Sequence, residues 1–344
     1  MYHYCHSIRL VKDPTLDSRF LGYPLWAMTG KAYCIIQAVK QKKLFLYLRT
    51  LRINQWVKNL VVFISVIFSG NLFVSKFLYQ SIYAFFLFCL LSSVSYVLND
   101  IIDYPFDRKH PFKKNRPIAS GQISIGEATF VVFILSIFTL IISLFFSVNL
   151  FLLSFAFLLL HLFYSLYLKR FPIIDIFAIA LSFMLRTFAG EVATGFHISI
   201  WLLLSIFFGA LFIATVKRHA ELLKHGVEAR TSLSFYKEHL LEFLTNTFAT
   251  TTIIAYASYA YFEKLPSITT KISQSFSEIF PGFEARKWLM ATIPFVVYGI
   301  ARYAQLLYER DEGERPEKII TKDVPLISTI FLWALAVVLL IYVL

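Results

Sequence analysis

Residues 98–121 read "LNDIIDYPFDRKHPFKKNRPIASG". Three aspartates, Asp100, Asp103 and Asp107, leave a long apolar run and pass straight into a basic cluster. On a helix they stand at i, i+3 and i+7, so they share one face, with Asn99 beside them. Carboxylates crowded on one face repel each other unless a cation intervenes. Hard oxygen ligands in an open arrangement suit Mg2+, which takes one or two carboxylates together with substrate phosphates. Pro105 interrupts the pattern, because inside a helix it removes a hydrogen bond and clashes with the preceding turn. The helix is therefore expected to kink or end there, leaving Asp107 the least secure ligand. One aspartate at a helix mouth is ordinarily a solvated side chain; the repeated spacing is what argues for a site.

The flanks place that site at a membrane. Only 16% of the 344 residues are charged and 58% are hydrophobic, where a soluble domain carries about a quarter charged residues. Mean hydropathy is +0.66. Continuous apolar runs near the ~20 residues that cross a bilayer as a helix recur along the chain. They predict an all-α, polytopic membrane protein with spans at 57–77, 80–101, 123–146, 148–168, 172–195, 199–220, 243–263, 288–309 and 325–344, nine in all. Runs that do not alternate argue against a β-barrel. The 19 Tyr and 37 Phe fit membrane packing, and basic charge gathered on a membrane face argues against nucleic acid as a partner.

Lys and Arg set the expected orientation. The loops at 102–122, 168–171, 217–242 and 310–324 are rich in both, while the other side has Lys76, Lys264, Lys271, Arg286 and Lys287. The charged loops are expected in the cytoplasm, beneath a plasma membrane, with the N-terminus inside and the C-terminus outside. The net charge of +12 gathers on that face. Residues 44–344 read as one catalytic domain, opened by an amphipathic interfacial helix, "LFLYLRTLRINQW" at 44–56. Residues 1–43 are weakly patterned and have no signal-peptide core. They read as a loose extension, or as sequence upstream of a later start such as Met28. Cys5, Cys34 and Cys89 are too widely spaced for a disulfide framework or a zinc site.

"NDIIDYPFD" resembles the NDxxDxxxD motif of the UbiA-type membrane prenyltransferase superfamily. The resemblance implies a nine-helix bundle in which Asn99, Asp100, Asp103 and Asp107 hold Mg2+ against a diphosphate. A wider set points to the decaprenyl-phosphate phosphoribosyltransferase branch: "LRINQWVKNL", "YSLYLKRFPIIDIFAIALSFMLRTFAGEVATG", "GALFIATVKRHAEL" and "GIARYAQLLYERDEGERPEKII", which with the acidic stretch cover about residues 49–323. That branch implies transfer of 5-phosphoribosyl from phosphoribosyl diphosphate to a polyprenyl phosphate, with Asp100, Asp103 and Lys58 as catalytic groups. Superfamily members with aromatic acceptors carry a second acidic motif after the sixth span. Here that position reads "VKRHAEL", with Lys217, Arg218 and Glu221. A cationic site there suits a second phosphate, since Lys and Arg make charge-assisted bonds to phosphate oxygens.

Other candidates for substrate binding are Gln55, Asn59, Lys113, Arg116, Tyr164, Lys169, Asp175, Arg186 and Arg302. Lys114 and Arg170 are read as headgroup or topology charges. The superfamily's YxxxK signature is stretched here, with Tyr164 and Lys169 five apart. Asp175, Ser182 and Arg186 share a face of the fifth span, which puts Arg186 ~16 Å deeper than Asp175. A charge at that depth faces a polar cavity or a partner, for which Glu191 is one candidate. Tyr298, Arg302 and Tyr303 form a weaker polar group. P-loop, HExxH and GxSxG signals are absent. Two rival readings stay open: a prenyltransferase moving a prenyl group to an aromatic or other acceptor, and a transporter or scaffold without chemistry. Polyprenyl chain length and oligomeric state are not legible.

Overall fold

The computed structural model describes residues 45–110, 113–225, 236, 238–263, 288–310 and 323–343, and every regular element among them is helical. The expectations for 1–43, with Cys5, Cys34 and Met28, and for Lys264, Lys271, Arg286 and Lys287 lie outside the described residues. The main rods are α1 Ile53–Phe68, α2 Ser75–Ile102, α3 Ile125–Phe146, α4 Val148–Leu166, α5 Ile174–Thr194, α6 Ile200–His225, α7 Glu238–Phe262, α8 Ile293–Arg310 and α9 Val324–Tyr342. Seven helices are long and apolar enough to cross a bilayer. The chain is a multi-pass membrane protein. Of the nine expected spans, α1 is short and α7 is polar, with Thr245, Asn246 and Thr250 to Thr252 along it.

The first span departs most from expectation. It ends at Phe68, and the stretch expected to finish it turns at Ser69–Asn71, where Gly70 takes φ 77 and the Asn71 amide donates to Ser69 O at 2.9 Å. "SGN" inside an apolar run is a turn signal that hydropathy averaging conceals. Residues Ile53–Phe63 form a 3-10 helix, entered through Arg52 at φ 52. Side chains three apart eclipse in that geometry, so Gln55 and Lys58 fall in one row and Trp56, Asn59 and Val62 in another. Such a long 3-10 run needs tertiary support. Trp56 Nε1 donates to Ser93 Oγ at 3.0 Å, and Asn59 Nδ2 donates to Cys89 Sγ at 3.3 Å. Gly190 of α5 lets the second row approach, because a Cβ there would stand 1.9 Å from Val62 O. Small residues at such crossings are how membrane helices pack closely.

α5 sits at the centre, packed on α1, α2, α4 and α6, whereas α3 is largely exposed, with Phe130, Phe133 and Phe145 facing outward. The Tyr342 hydroxyl donates to Ile67 O at 2.8 Å and accepts from Leu72 N at 2.9 Å. That joins the last rod to the first and closes the bundle around α5. Sharp N-caps set two of the entries: Ser124 and Glu127 form a capping box on α3, and Asp323 accepts from Leu326 N on α9.

Candidate active site

The polar residues of α2 form a stripe. Ser92, Tyr96, Asn99 and Asp103 lie at i, i+4, i+7 and i+11, with Asp100 at its edge. α2 ends at Ile102, and Asp103 is its C-cap. A one-turn helix, Tyr104–Asp107, follows, with Pro105 in its first turn, where a missing N–H costs nothing. The proline therefore restarts the helix and swings Asp107 back against Asp100. Both are 3% exposed.

Each carboxylate meets a cation. Arg52 Nη2 lies 2.5 Å from Asp100 Oδ1, and Arg116 Nη1 bridges Asp100 Oδ1 at 2.9 Å and Asp107 Oδ2 at 2.6 Å. Lys169 Nζ lies 2.5 Å from Asp103 Oδ1, while Asn99 Nδ2 donates to Asp103 Oδ2 at 2.9 Å. Asn99 Oδ1 accepts from Ser165 and Lys169. Arg52 was missed by sequence reasoning. Its signal was its place at the start of "RINQWVKN", and only the left-handed turn there aims it at α2.

Among the described residues no three carboxylate, histidine or cysteine side chains close into a metal cage. The donor set still fits Mg2+, which needs only one or two protein carboxylates. Asp100 Oδ2 and Asp107 Oδ1 accept no hydrogen bond from a described residue, whereas both oxygens of Asp103 are taken. Asp107, expected as the least secure ligand because of Pro105, thus stands against Asp100 with one oxygen unengaged.

A second charged cluster lies between α5 and α6. Arg218, 1% exposed, donates through Nε to Asp175 Oδ2 at 2.6 Å and through Nη1 to Glu221 Oε2, with Tyr164 Oη 3.4 Å from Nη2. The Tyr236 hydroxyl donates to Asp175 Oδ1 at 2.8 Å, and burial followed by the Asp175 charge pushes its ionisation up. Tyr236 also accepts from Ile173 N. Ile173 has φ 67 and ψ −49, and Ile174 N donates to Pro172 O at 2.7 Å. This is a γ-turn of the strained hand, costing about 1–3 kcal/mol, and it delivers Asp175 into the cluster. Arg218 was expected to face a substrate phosphate. The structure instead encloses its guanidinium between two carboxylates, with Glu221 one of them. Lys217 beside it is half-buried.

The remaining candidates separate. Tyr164 turns to Arg218 while Lys169 turns to Asp103, because α4 ends at Leu166 and a 3-10 turn, Leu168–Arg170, intervenes. That explains the stretched spacing. Arg302 is occupied by Asp323, at 2.8 and 3.2 Å, and by Gln305, so it ties α8 to the cap of α9 rather than facing the mouth. Glu191 pairs with His197 at 2.7 Å and not with Arg186. Arg186 and Asn59 meet deeper in the bundle, at 2.7 Å. Lys58 and Gln55 are half-buried on α1, and Lys113 opens the 3-10 turn before Arg116.

Comparisons with known proteins identify the family and the fold. Residues 60–335 match the UbiA prenyltransferase family. The decaprenyl-phosphate phosphoribosyltransferase of Corynebacterium glutamicum is 32% identical over 305 residues, 86% of each chain. Its counterpart from Mycolicibacterium smegmatis is 32% identical over 288 residues, covering 80% of this chain and 86% of that one. A UbiA homologue of Archaeoglobus fulgidus, solved with DMAPP and Mg2+, superposes with a TM-score of 0.63 at 19% identity, over 87% of this chain and 99% of that one.

Proposed function

The chain belongs to the UbiA prenyltransferase family and is an enzyme of it, and we propose that it transfers a 5-phosphoribosyl group from phosphoribosyl diphosphate to a polyprenyl phosphate. One observation carries the reading. The mouth of α2 leaves carboxylate oxygens available, whereas the α5–α6 cluster is closed on Arg218. A single open acidic site suits a donor with one diphosphate, and the surrounding cations suit its further phosphate. The similarity to phosphoribosyltransferases over most of the chain supports the same choice.

Asp100 and Asp107, with Asp103 and Asn99 behind them, would hold Mg2+. Bound there, the ion supplies charge neutralisation for a departing diphosphate. The chain's own cations do the rest by exchanging partners. Arg52, Arg116 and Lys169 pair with carboxylates before the donor arrives and turn to phosphate oxygens afterwards, keeping the mouth near neutral throughout. Lys113, Lys114, Arg170 and Lys217 are the candidates for the C5 phosphate. The C1–O bond to the diphosphate breaks, and its electron pair leaves with that group. A C1–O bond to the lipid phosphate forms on the opposite side of C1. The acceptor oxygen is already ionised at neutral pH, so no general base is required, and the catalytic demand falls on positioning and electrostatics. The mouth faces the cytoplasm in this reading, where a water-soluble donor is supplied.

Purified protein should turn over phosphoribosyl diphosphate with a polyprenyl phosphate only when Mg2+ is present. Consumption of a prenyl diphosphate with an aromatic acceptor, and no phosphoribosyl transfer, would overturn the assignment.

A further inference from the structure

Below the mouth the bundle holds positive charge with no carboxylate bonded to it among the described residues. Arg186, in the middle of α5, is 2% exposed. Its Nε donates to Asn59 Oδ1 at 2.7 Å, its Nη1 to Ser182 O at 2.8 Å and Ser182 Oγ at 2.9 Å, and its Nη2 to Ser92 Oγ at 3.4 Å. Every one of those acceptors is neutral. Phe157 and Phe183 enclose the guanidinium, with ring centroids 4.8 and 5.3 Å from its carbon. His161 of α4 packs on Phe157 at 4.4 Å, and its buried Nε2 has no hydrogen-bond partner among the described residues. Lys58, half-buried on α1, makes no hydrogen bond or ion pair with a described residue.

A buried cation without an anionic partner is costly in a bilayer and ordinarily marks a substrate or ion path. Here the Arg186 guanidinium and an orphaned imidazole nitrogen share the Phe157 ring, Lys58 directly precedes the Asn59 that binds Arg186, and an anion would satisfy all three. We propose that this layer receives the phosphate of the lipid acceptor, a phosphomonoester on a polyprenyl chain, held by Arg186, His161 and Lys58. The inference rests on the phosphoribosyl-transfer reading and adds the acceptor's place to it.

Depth and direction select the acceptor over the donor. Ser92 lies eight residues before Asp100 on α2, about 12 Å deeper. An attacking phosphate must approach C1 from the side away from the diphosphate. With the diphosphate at the mouth, that side points down the α2 stripe, past Tyr96, to Arg186. A polyprenyl tail is accommodated at this depth, whereas a triply phosphorylated, water-soluble sugar is not.

The test uses the full chain in detergent and two probes, farnesyl phosphate and farnesol, titrated by protection against thermal unfolding. Wild-type protein should bind farnesyl phosphate at least tenfold more tightly than farnesol. Arg186→Gln should erase that preference, and His161→Leu and Lys58→Met should each weaken farnesyl phosphate at least threefold. The KM for phosphoribosyl diphosphate should stay within twofold throughout. Lys58→Met loses no internal partner, so it decides the matter if Arg186→Gln does not fold. Farnesyl phosphate binding unchanged in the folded variants, or a raised KM for the donor instead of the acceptor, overturns the proposal. If binding depends on Arg186 while phosphoribosyl diphosphate is never consumed, the site stands and the reaction assigned to it falls.

Discussion

The mouth of α2 and the α5–α6 cluster are built from the same materials, aspartates and arginines within hydrogen-bond distance, and they differ in enclosure. At the mouth the arginine side chains are 25% and 27% exposed, and two carboxylates keep an oxygen in reserve. In the cluster Arg218 and Asp175 are 1% and 0% exposed, and both Asp175 oxygens are engaged, by Arg218 and Tyr236. Partly solvated ion pairs can exchange partners at little cost, while a buried pair is held because separating it strands a charge. We therefore propose one set of charges as a binding site and the other as a lock. The strained Ile173 turn and the Tyr236 hydroxyl belong to the lock.

The largest effect should come from opening the lock. Arg218→Ala strands Asp175 and Glu221 and should destabilise the protein by about 3–5 kcal/mol, read as a lowered unfolding midpoint. The donor KM of the folded fraction should be unchanged; a raised KM with normal stability would erase the distinction between the two clusters. Next, Asp100→Ala should cut turnover by about 10²–10³-fold with no loss of folding. Asp107→Ala should follow it closely, and Asp103→Ala should be the mildest of the three. Near-normal rates for Asp100→Ala at saturating Mg2+ would remove the mouth from catalysis.

Tyr236→Phe should cost about 1–3 kcal/mol, since Ile173 N and Asp175 each lose a partner. Its raised ionisation fixes the sign with pH. A group whose folded pKa is raised contributes fully below its unfolded value of about 10 and is lost as pH climbs through the folded value. Unfolding measured from pH 6 to 9 should therefore show a constant difference between wild type and Tyr236→Phe, narrowing only above about pH 10. The smallest effect sharpens the exchange at the mouth. Arg116→Gln should weaken the donor about tenfold, a lost charged contact of roughly 1.4 kcal/mol. It should also tighten Mn2+ binding in the absence of donor, because Asp100 and Asp107 lose a competing cation. Weaker Mn2+ binding in that variant would count against partner exchange.

Much of the membrane architecture was legible. Length and hydropathy located most rods within a few residues, because a helix in hydrocarbon must satisfy its own backbone and must be apolar to stay there. They misplaced the first, since a short 3-10 segment and a Gly70 turn average into one apolar run. The acidic face was legible too, because helical spacing is local. Arg52, Tyr96, His161 and Tyr236 were not, since each acquires its role from a helix or loop distant in sequence.

By itself, then, the sequence determined the all-helical membrane class, the acidic mouth and the family. Composition and i, i+3, i+7 spacing are properties of a segment and need no partner. Only the tertiary structure decided which charges remain available. Arg218 and Arg116 are equally basic as residues, but burial encloses one between Asp175 and Glu221 and leaves the other partly exposed, bridging two carboxylates that each keep one oxygen unengaged. Whether a charge can be exchanged depends on solvent access and on its neighbours, and both are fixed by the packing of α1, α2, α5 and α6.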